Sequence, residues 1–396
     1  MEIGLVGKPN VGKSTFFSAA TLAPAEIASY PFTTIEPNKG IAYVKTACPH
    51  VEFEVSCDPR NAPCENGTRL VPIELLDVAG LVPDAHEGRG LGNKFLDDLR
   101  QASALIHIVD ASGSTDIEGN PCDIGEHDPM EDVEFLEVEV SHWIKNIISK
   151  DWVKIARMSQ YEGKDLEKLL YEKMTGLGIS EVQVKEALRD SNLSDQPVDW
   201  TDEELLTLSR KLQIIGKPMI LAANKSDIAP EENLEKLQSL DSYITIPTSA
   251  EFELALRRAA NAGLIEYEIG AESFTIPDPS KLNEAQLKGM KHLQEVLPTL
   301  GTTGVQKCIE KAAFELLNLI IVFPVEDENK YCDNEGNVLP DAYLVPRGST
   351  AKDLAYKVHT DLGDNFIRAI NAKTKRVVGA DYVLENDDVI TIVARA

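Results

Sequence analysis

Long apolar runs, basic residues and cysteines are all scarce in this chain, and each scarcity removes a class of protein. No stretch approaches the roughly 18 to 20 uninterrupted apolar residues that a membrane span needs. The segment from Phe314 to Val325 is short and is interrupted by Glu315 and Asn318. Met1 is followed at once by the strand-like Glu2 to Gly7, so the expectation is a cytoplasmic protein with no targeting peptide and no membrane partner. Lys and Arg total 39 against 65 Asp and Glu, for a formal net charge of -26. Such a surface repels phosphates at long range, so DNA binding is not expected and any RNA contact must be local. The six cysteines, Cys48, Cys57, Cys64, Cys122, Cys308 and Cys332, do not make a secreted disulfide framework. Cys48, Cys57 and Cys64 with His50 can be drawn as a zinc site or can supply one disulfide. They lack the C-x-x-C pair usual in structural zinc sites, so reduced thiols are the expectation.

What remains is a chain of 396 residues, 43% hydrophobic and 26% charged, enough for two or three globular domains. Strand-like and helix-like segments alternate at first: Ile3 to Val6, a helix from Lys13, Gly40 to Lys45, Ile73 to Val78, Ala104 to Asp110. That alternation predicts an α/β domain whose mostly parallel sheet is covered by helices on both faces. From about Ser112 to Leu212 the pattern turns helical. Val133, Leu136, Val140, Trp143, Ile144 and Ile147 recur at three and four residues, and Thr201 with Glu204 forms a capping-box signature. Strand-like Pro218 to Ala223 and Tyr243 to Ile246 resume the sheet, and helical patterning runs from Glu251 to Leu317. Between Leu319 and Ala396, four short apolar runs flank one helix opened by Ser349 and Thr350, which predicts a small α+β module. The division is therefore 1–111 with 213–318, a helical insertion at 112–212, and a C-terminal domain at 319–396.

Gly7-Lys8-Pro9-Asn10-Val11-Gly12-Lys13-Ser14 fits G-x-x-x-x-G-K-[ST] directly after a strand and before a helix, the context that a phosphate-binding loop requires. The glycines let successive N–H groups turn toward phosphate oxygens, and the helix N-terminus adds its positive dipole end. Candidate nucleotide contacts are Gly7, Pro9, Asn10, Val11, Gly12, Lys13, Ser14 and Thr15. Lys13 suits the β- and γ-phosphates and Ser14 suits magnesium.

Further segments follow in the order such a site needs. Thr34, in Tyr30-Pro31-Phe32-Thr33-Thr34, can close over magnesium and the γ-phosphate. Asp77-Val78-Ala79-Gly80 ends an apolar run, so Asp77 is a magnesium candidate and the Gly80 N–H a γ-phosphate contact. Asn224-Lys225-Ser226-Asp227 follows the apolar Met219 to Ala223. A carboxylate there accepts two N–H bonds from the guanine N1 and N2 edge, a pair that adenine does not offer, so Asp227 predicts GTP as substrate and GDP as product. Thr248-Ser249-Ala250 can offer a backbone N–H to guanine O6.

GKPNVGKST, YPFTTIEPN, DVAGLVPDAHEGRGLGNKFL and NKSD together resemble the Obg family of P-loop GTPases, specifically its YchF-like branch, over essentially the whole chain. The resemblance implies a C-terminal TGS domain of ubiquitin-like β-grasp fold and association with the ribosome or ribosomal RNA. It also implies potassium near Asn10. Many YchF-like proteins alter the NKxD segment and prefer ATP. Here Asn224, Lys225 and Asp227 are intact, so GTP is expected and ATP is the alternative. Leu81 stands where many switch GTPases carry a water-orienting Gln, which implies slow turnover, and His86 is a candidate water-positioner. Lys352, Lys357, Arg368, Lys373, Lys375 and Arg376 form a candidate basic patch. The helical insertion is a candidate protein-docking surface.

Overall fold

The computed structural model describes residues 1–22, 38–78, 80 and 92–395. The N-terminal part runs β1 (Glu2–Val6), α1 (Lys13–Thr21), β2 (Lys39–Ala47), α2 (Pro49–Phe53), β3 (Cys64–Glu65), β4 (Thr68–Asp77), α3 (Gly92–Gln101) and β5 (Ala102–Asp110). Five helices follow: α4 (Pro129–Ser149), α5 (Trp152–Glu162), α6 (Leu166–Met174), α7 (Glu181–Ser191) and α8 (Asp202–Gly216). Then come β6 (Met219–Asn224), α9 (Glu231–Gln238), β7 (Thr245–Pro247), α10 (Ala250–Asn261), α11 (Glu284–Leu300) and α12 (Val305–Lys311).

The first sheet has strand order β2-β4-β1-β5-β6-β7, with β3 beside β4. β1 lies parallel between β4 and β5, and β5, β6 and β7 continue in parallel. This register brings strand ends together, with Leu5 opposite Asp77 and Asp110 opposite Asn224. Ligands of open α/β sheets bind outside such carboxyl ends, so strand register alone gathers residues more than 200 positions apart.

The helices α4 to α8 bury one stripe each. Leu136, Val140, Trp143, Ile144, Leu205, Leu208 and Leu212 share a core with Val6, Leu76, Leu99, Leu105 and Met219. These helices thus cover the sheet and complete its core. Thr201 makes the full capping box with Glu204 that opens α8. The helix runs on to Gly216, four residues past the expected end of the insertion at 212. Among the described residues no helix is long and apolar enough to cross a membrane.

The C-terminal part contains β8 (Leu319–Val325), β9 (Tyr343–Pro346), α13 (Ala351–Val358), α14 (Thr360–Asp364), β10 (Phe366–Asn371), β11 (Arg376–Val378) and β12 (Asp388–Ala394). Its sheet order is β11-β10-β12-β8-β9, with β12 and β8 parallel at the centre and the outer pairings antiparallel. Thr350 caps α13, whose Ala351 and Leu354 pack on Ile320, Val322, Ala369 and Ile390.

The chain forms two compact units, and the division differs from the one drawn from the sequence. One unit holds Met1–Leu22, Pro37–Gly40 and Glu74–Cys308; the other holds Ile41–Ile73 and Ile309–Ala396. Residues 41–73 thus group with the C-terminal sheet, although they carry β3 and most of β2 and β4 of the first sheet. Backbone bonds explain the grouping: Asp58 N donates to Val338 O at 2.8 Å and Arg60 N to Pro340 O at 2.7 Å. Arg60 also pairs with Asp341, and Phe53 stacks on Tyr331 with centroids 3.9 Å apart. Such long-range pairings leave no local periodicity to read.

Candidate functional site

The loop between β1 and α1 has its fold imposed by a few contacts. Gly12 has φ +94°, and a Cβ there would lie 2.3 Å from Asn224 Nδ2, so only glycine fits. Asn224 is buried and acts as a clamp. Its Nδ2 donates to Val11 O at 2.8 Å, and its Oδ1 accepts from Ala250 N at 3.0 Å. One side chain therefore ties the phosphate loop to the segment after β7. Lys13 reaches across to Asp77 at the end of β4 and forms an ion pair with Oδ1. Ser14 is exposed at the start of α1, and Gly80 lies against the Pro9 ring. Gly7, Pro9, Asn10, Val11, Gly12, Lys13, Ser14, Thr15, Asp77 and Gly80 are thus brought to one edge of the sheet. Thr34 and His86 lie outside the described residues, as do Leu81 and the glycines at 88 and 90.

On the base side, Asp227 is half-buried and makes no hydrogen bond or ion pair to another described residue. Lys225, with φ +60°, instead turns its ammonium to Asp110 Oδ2 at 2.7 Å. The amide offered for guanine O6 in Thr248-Ser249-Ala250 is not free. Thr248 N donates to Ala223 O, Ser249 N to Thr303 O at 2.9 Å, and Ala250 N to Asn224. The reason is the clamp itself, since Asn224 needs a donor for its oxygen once its nitrogen holds the phosphate loop. The Ser249 hydroxyl is buried with no partner among the described residues.

The segment after β5 is part of this edge, and the sequence reading passed over it. Asp110 accepts from Ser112, Ser114 and Thr115 as well as Lys225. Burial pushes its carboxyl up, but the bond and charge of Lys225 with the surrounding hydroxyls outweigh burial and hold it below the usual carboxylate range. Gly119 has φ +87° and packs so close that a Cβ would meet Pro9 O at 2.6 Å. Asn10 Nδ2 donates to Gly119 O at 2.9 Å, leaving only its Oδ1 for a cation. Lys8 is buried and turned away, bonded to Asp132 and Thr115 O, and His127 Nε2 also reaches Asp132 at 2.8 Å. His107, inside β5, is held neutral, its pKa lowered to about 3 by burial and by the Lys8 charge. The signal for Asp110 was present, since it ends an apolar strand as Asp77 does.

In the C-terminal sheet the candidate basic patch is thinner than its composition. Lys373 pairs with Glu52, and Lys375 donates to Glu328 O and lies over the Tyr331 ring. Arg368 and Arg376 remain exposed on β10 and β11, as do Lys352 and Lys357 on α13.

A strand-to-helix phosphate loop, with a strand-end carboxylate facing its lysine in a mostly parallel sheet, defines a P-loop nucleoside-triphosphate-binding domain. Comparison with known proteins agrees. Residues 2–148 match the 50S ribosome-binding GTPase model, 222–327 the Obg-like GTPase YGR210-like, G4 motif-containing domain, and 335–394 the TGS domain. An uncharacterized GTP-binding protein of Methanocaldococcus jannaschii is 56% identical over 100% of this chain and 99% of its own. A crystal structure of a GTP binding protein from Pyrococcus horikoshii is similar with TM-score 0.78 and 44% identity, covering 100% of both chains. The ribosome-binding ATPase YchF of Bacillus subtilis is 28% identical over 98% of each chain. The chain belongs to the Obg-like GTPases, in the YchF-like branch with a C-terminal TGS domain, and is a GTP-binding protein of that family.

Proposed function

We propose that this protein is a magnesium-dependent GTPase that hydrolyses GTP to GDP and phosphate and acts as a cytoplasmic molecular switch on the ribosome. The observation that carries the reading is Asp227: a half-buried carboxylate without a partner among the described residues, three positions after the Asn224 clamp that holds the phosphate loop. Guanine offers that carboxylate two donors.

The residues present fit magnesium. Ser14 Oγ and the Asp77 carboxylate are hard oxygen donors beside Lys13, and these two would hold the ion. When bound, magnesium supplies positive charge to the phosphate oxygens. The amides of Gly7 to Thr15 orient the triphosphate, and Lys13 exchanges Asp77 for the β- and γ-phosphates. Gly80, packed on Pro9, would offer its N–H to the γ-phosphate, and Thr34 joins it in that role by the family pattern. Asn10 is a potassium ligand through Oδ1. With Leu81 in the sequence position of the water-orienting side chain, and His86 a candidate to replace it, intrinsic turnover is slow. On this reading the ribosomal contact uses Lys352, Lys357, Arg368 and Arg376, and confinement to one small patch of cations makes it salt-sensitive. The exposed faces of α4 to α8 are a proposed protein-docking surface.

ATP is the competing reading, motivated by the name of the Bacillus subtilis relative. Competition binding on the purified chain with magnesium, and with potassium varied, separates the two. GTP should displace a labelled nucleotide at far lower concentration than ATP, and Asp227→Ala should cost GTP about 30- to 1000-fold, leaving ATP little changed. ATP binding as tight as GTP would overturn the choice of base.

A further inference from the structure

The hairpin between β2 and β4 carries a second site that nucleotide chemistry does not use. Cys48 precedes α2, His50 lies in its first turn, Cys57 follows in the loop, and Cys64 opens β3. One residue separates the first pair, and six separate each of the next two. Their ligand atoms all lie within 4.8 Å of one another. His50 Nδ1 is 3.3 Å from Cys57 Sγ and 3.6 Å from Cys64 Sγ. Zinc–sulfur and zinc–nitrogen bonds of about 2.3 and 2.05 Å at tetrahedral angles put nitrogen and sulfur about 3.6 Å apart, so the pocket has nearly the size of a zinc site. None of the three cysteines is in a disulfide.

A second observation is independent of this spacing. Arg69, on β4, is 0% exposed. Its Nη1 donates to Ala62 O at 2.9 Å, and its Nη2 donates to Leu339 O at 2.8 Å and to Cys48 Sγ at 3.3 Å. It also lies over the Phe323 ring; no carboxylate is among its partners in the described residues, and a guanidinium cannot shed its proton. A buried cation without an anion is costly. Three protonated thiols beside it supply no charge. Three thiolates on a divalent ion carry a net charge of minus one, which the Arg69 cation cancels, and an N–H bond to a ligand sulfur is the outer support that metal sites use.

We propose that Cys48, His50, Cys57 and Cys64 bind one structural zinc ion, with Arg69 as the charge-balancing positioning residue. Binding releases three thiol protons to solvent and involves no redox change. All four positions are filled by protein, so the site is closed and its role is to hold the hairpin in shape. The held loop is the one whose Asp58 and Arg60 amides bond Val338 and Pro340, so zinc fixes the surface that residues 41–73 present to the C-terminal sheet within their shared unit.

The test is elemental analysis of the full chain, untagged with histidine and prepared without chelators. The expected result is roughly one zinc per chain, falling at least about tenfold in Cys57→Ser/Cys64→Ser with GTP binding retained. Cobalt exchanged into the wild-type protein should give the intense visible bands of a tetrahedral thiolate site, a readout that stands even if the variant does not fold. Absence of zinc from wild-type protein after zinc supply, an octahedral cobalt spectrum, or a disulfide between two of these cysteines would overturn the proposal.

Discussion

The nucleotide edge and the cysteine hairpin solve opposite problems with similar materials. At the edge, Lys13 pairs with Asp77 and Lys225 with Asp110, so charges gathered from two strand ends, the start of α1 and the loop after β6 stabilise one another without sealing the site. Ser14 stays exposed, and Asp227 has no described partner. In the hairpin, three thiols, an imidazole and a buried guanidinium converge within one short stretch of chain. A site that must take up and release a ligand keeps its groups in exchangeable pairs. One that holds an ion permanently closes around it.

The comparison breaks most sharply at Lys13. Lys13→Ala removes charged bonds to two phosphates, so GTP affinity should fall on the order of 1000-fold in a fluorescent-nucleotide titration, while zinc content stays unchanged. Loss of zinc in that variant would show that the two regions are not independent.

Asn224→Ala tests the clamp. It leaves Val11 O and Ala250 N without partners, which should cost about 2 to 4 kcal/mol of unfolding free energy and also weaken GTP, measured by urea denaturation and by binding. A variant as stable as the parent would show that the clamp does not hold the loop.

A third effect, confined to acid pH, concerns His107. The unfolded chain takes up its proton near the ordinary imidazole value of 6.5, the folded chain only near 3. Between those values the unfolded state binds more protons, so stability falls as pH falls through this window, by up to about 1.4 kcal/mol per pH unit. His107→Gln should flatten the pH dependence of the urea midpoint between about pH 6 and 4 relative to the parent. An unchanged slope would assign the acid sensitivity to other groups.

Much of the edge was legible because each of its pieces is local. β1, β4, β5 and β6 are apolar runs, the loop after β1 has its glycines at fixed spacing, and Asp77 and Asn224 stand at strand ends. Asp110 ends such a run too, but no familiar tetrapeptide marks it. The sequence offers a Thr248-Ser249-Ala250 amide to guanine O6, and only the course of Thr303 and Asn224 shows that the Ser249 and Ala250 amides are bonded within the protein. The absence of a C-x-x-C pair argues against zinc in the sequence, but that is a rule about spacing. The hairpin brings Cys57 and Cys64 to His50 through a turn whose path no spacing rule states.

By itself, the order of residues determined the phosphate loop, its strand-loop-helix setting, the NKSD segment and the two sheet-forming regions. These depend on short-range preferences: backbone freedom at glycine, apolar periodicity, and helix capping. Tertiary structure alone decided that residues 41–73 group with the C-terminal sheet, that Asn224 takes the Ala250 amide, and that a buried Arg69 faces a cysteine sulfur. Those outcomes rest on hydrogen bonds and charge balance between residues from 21 to about 280 positions apart, which no local pattern encodes.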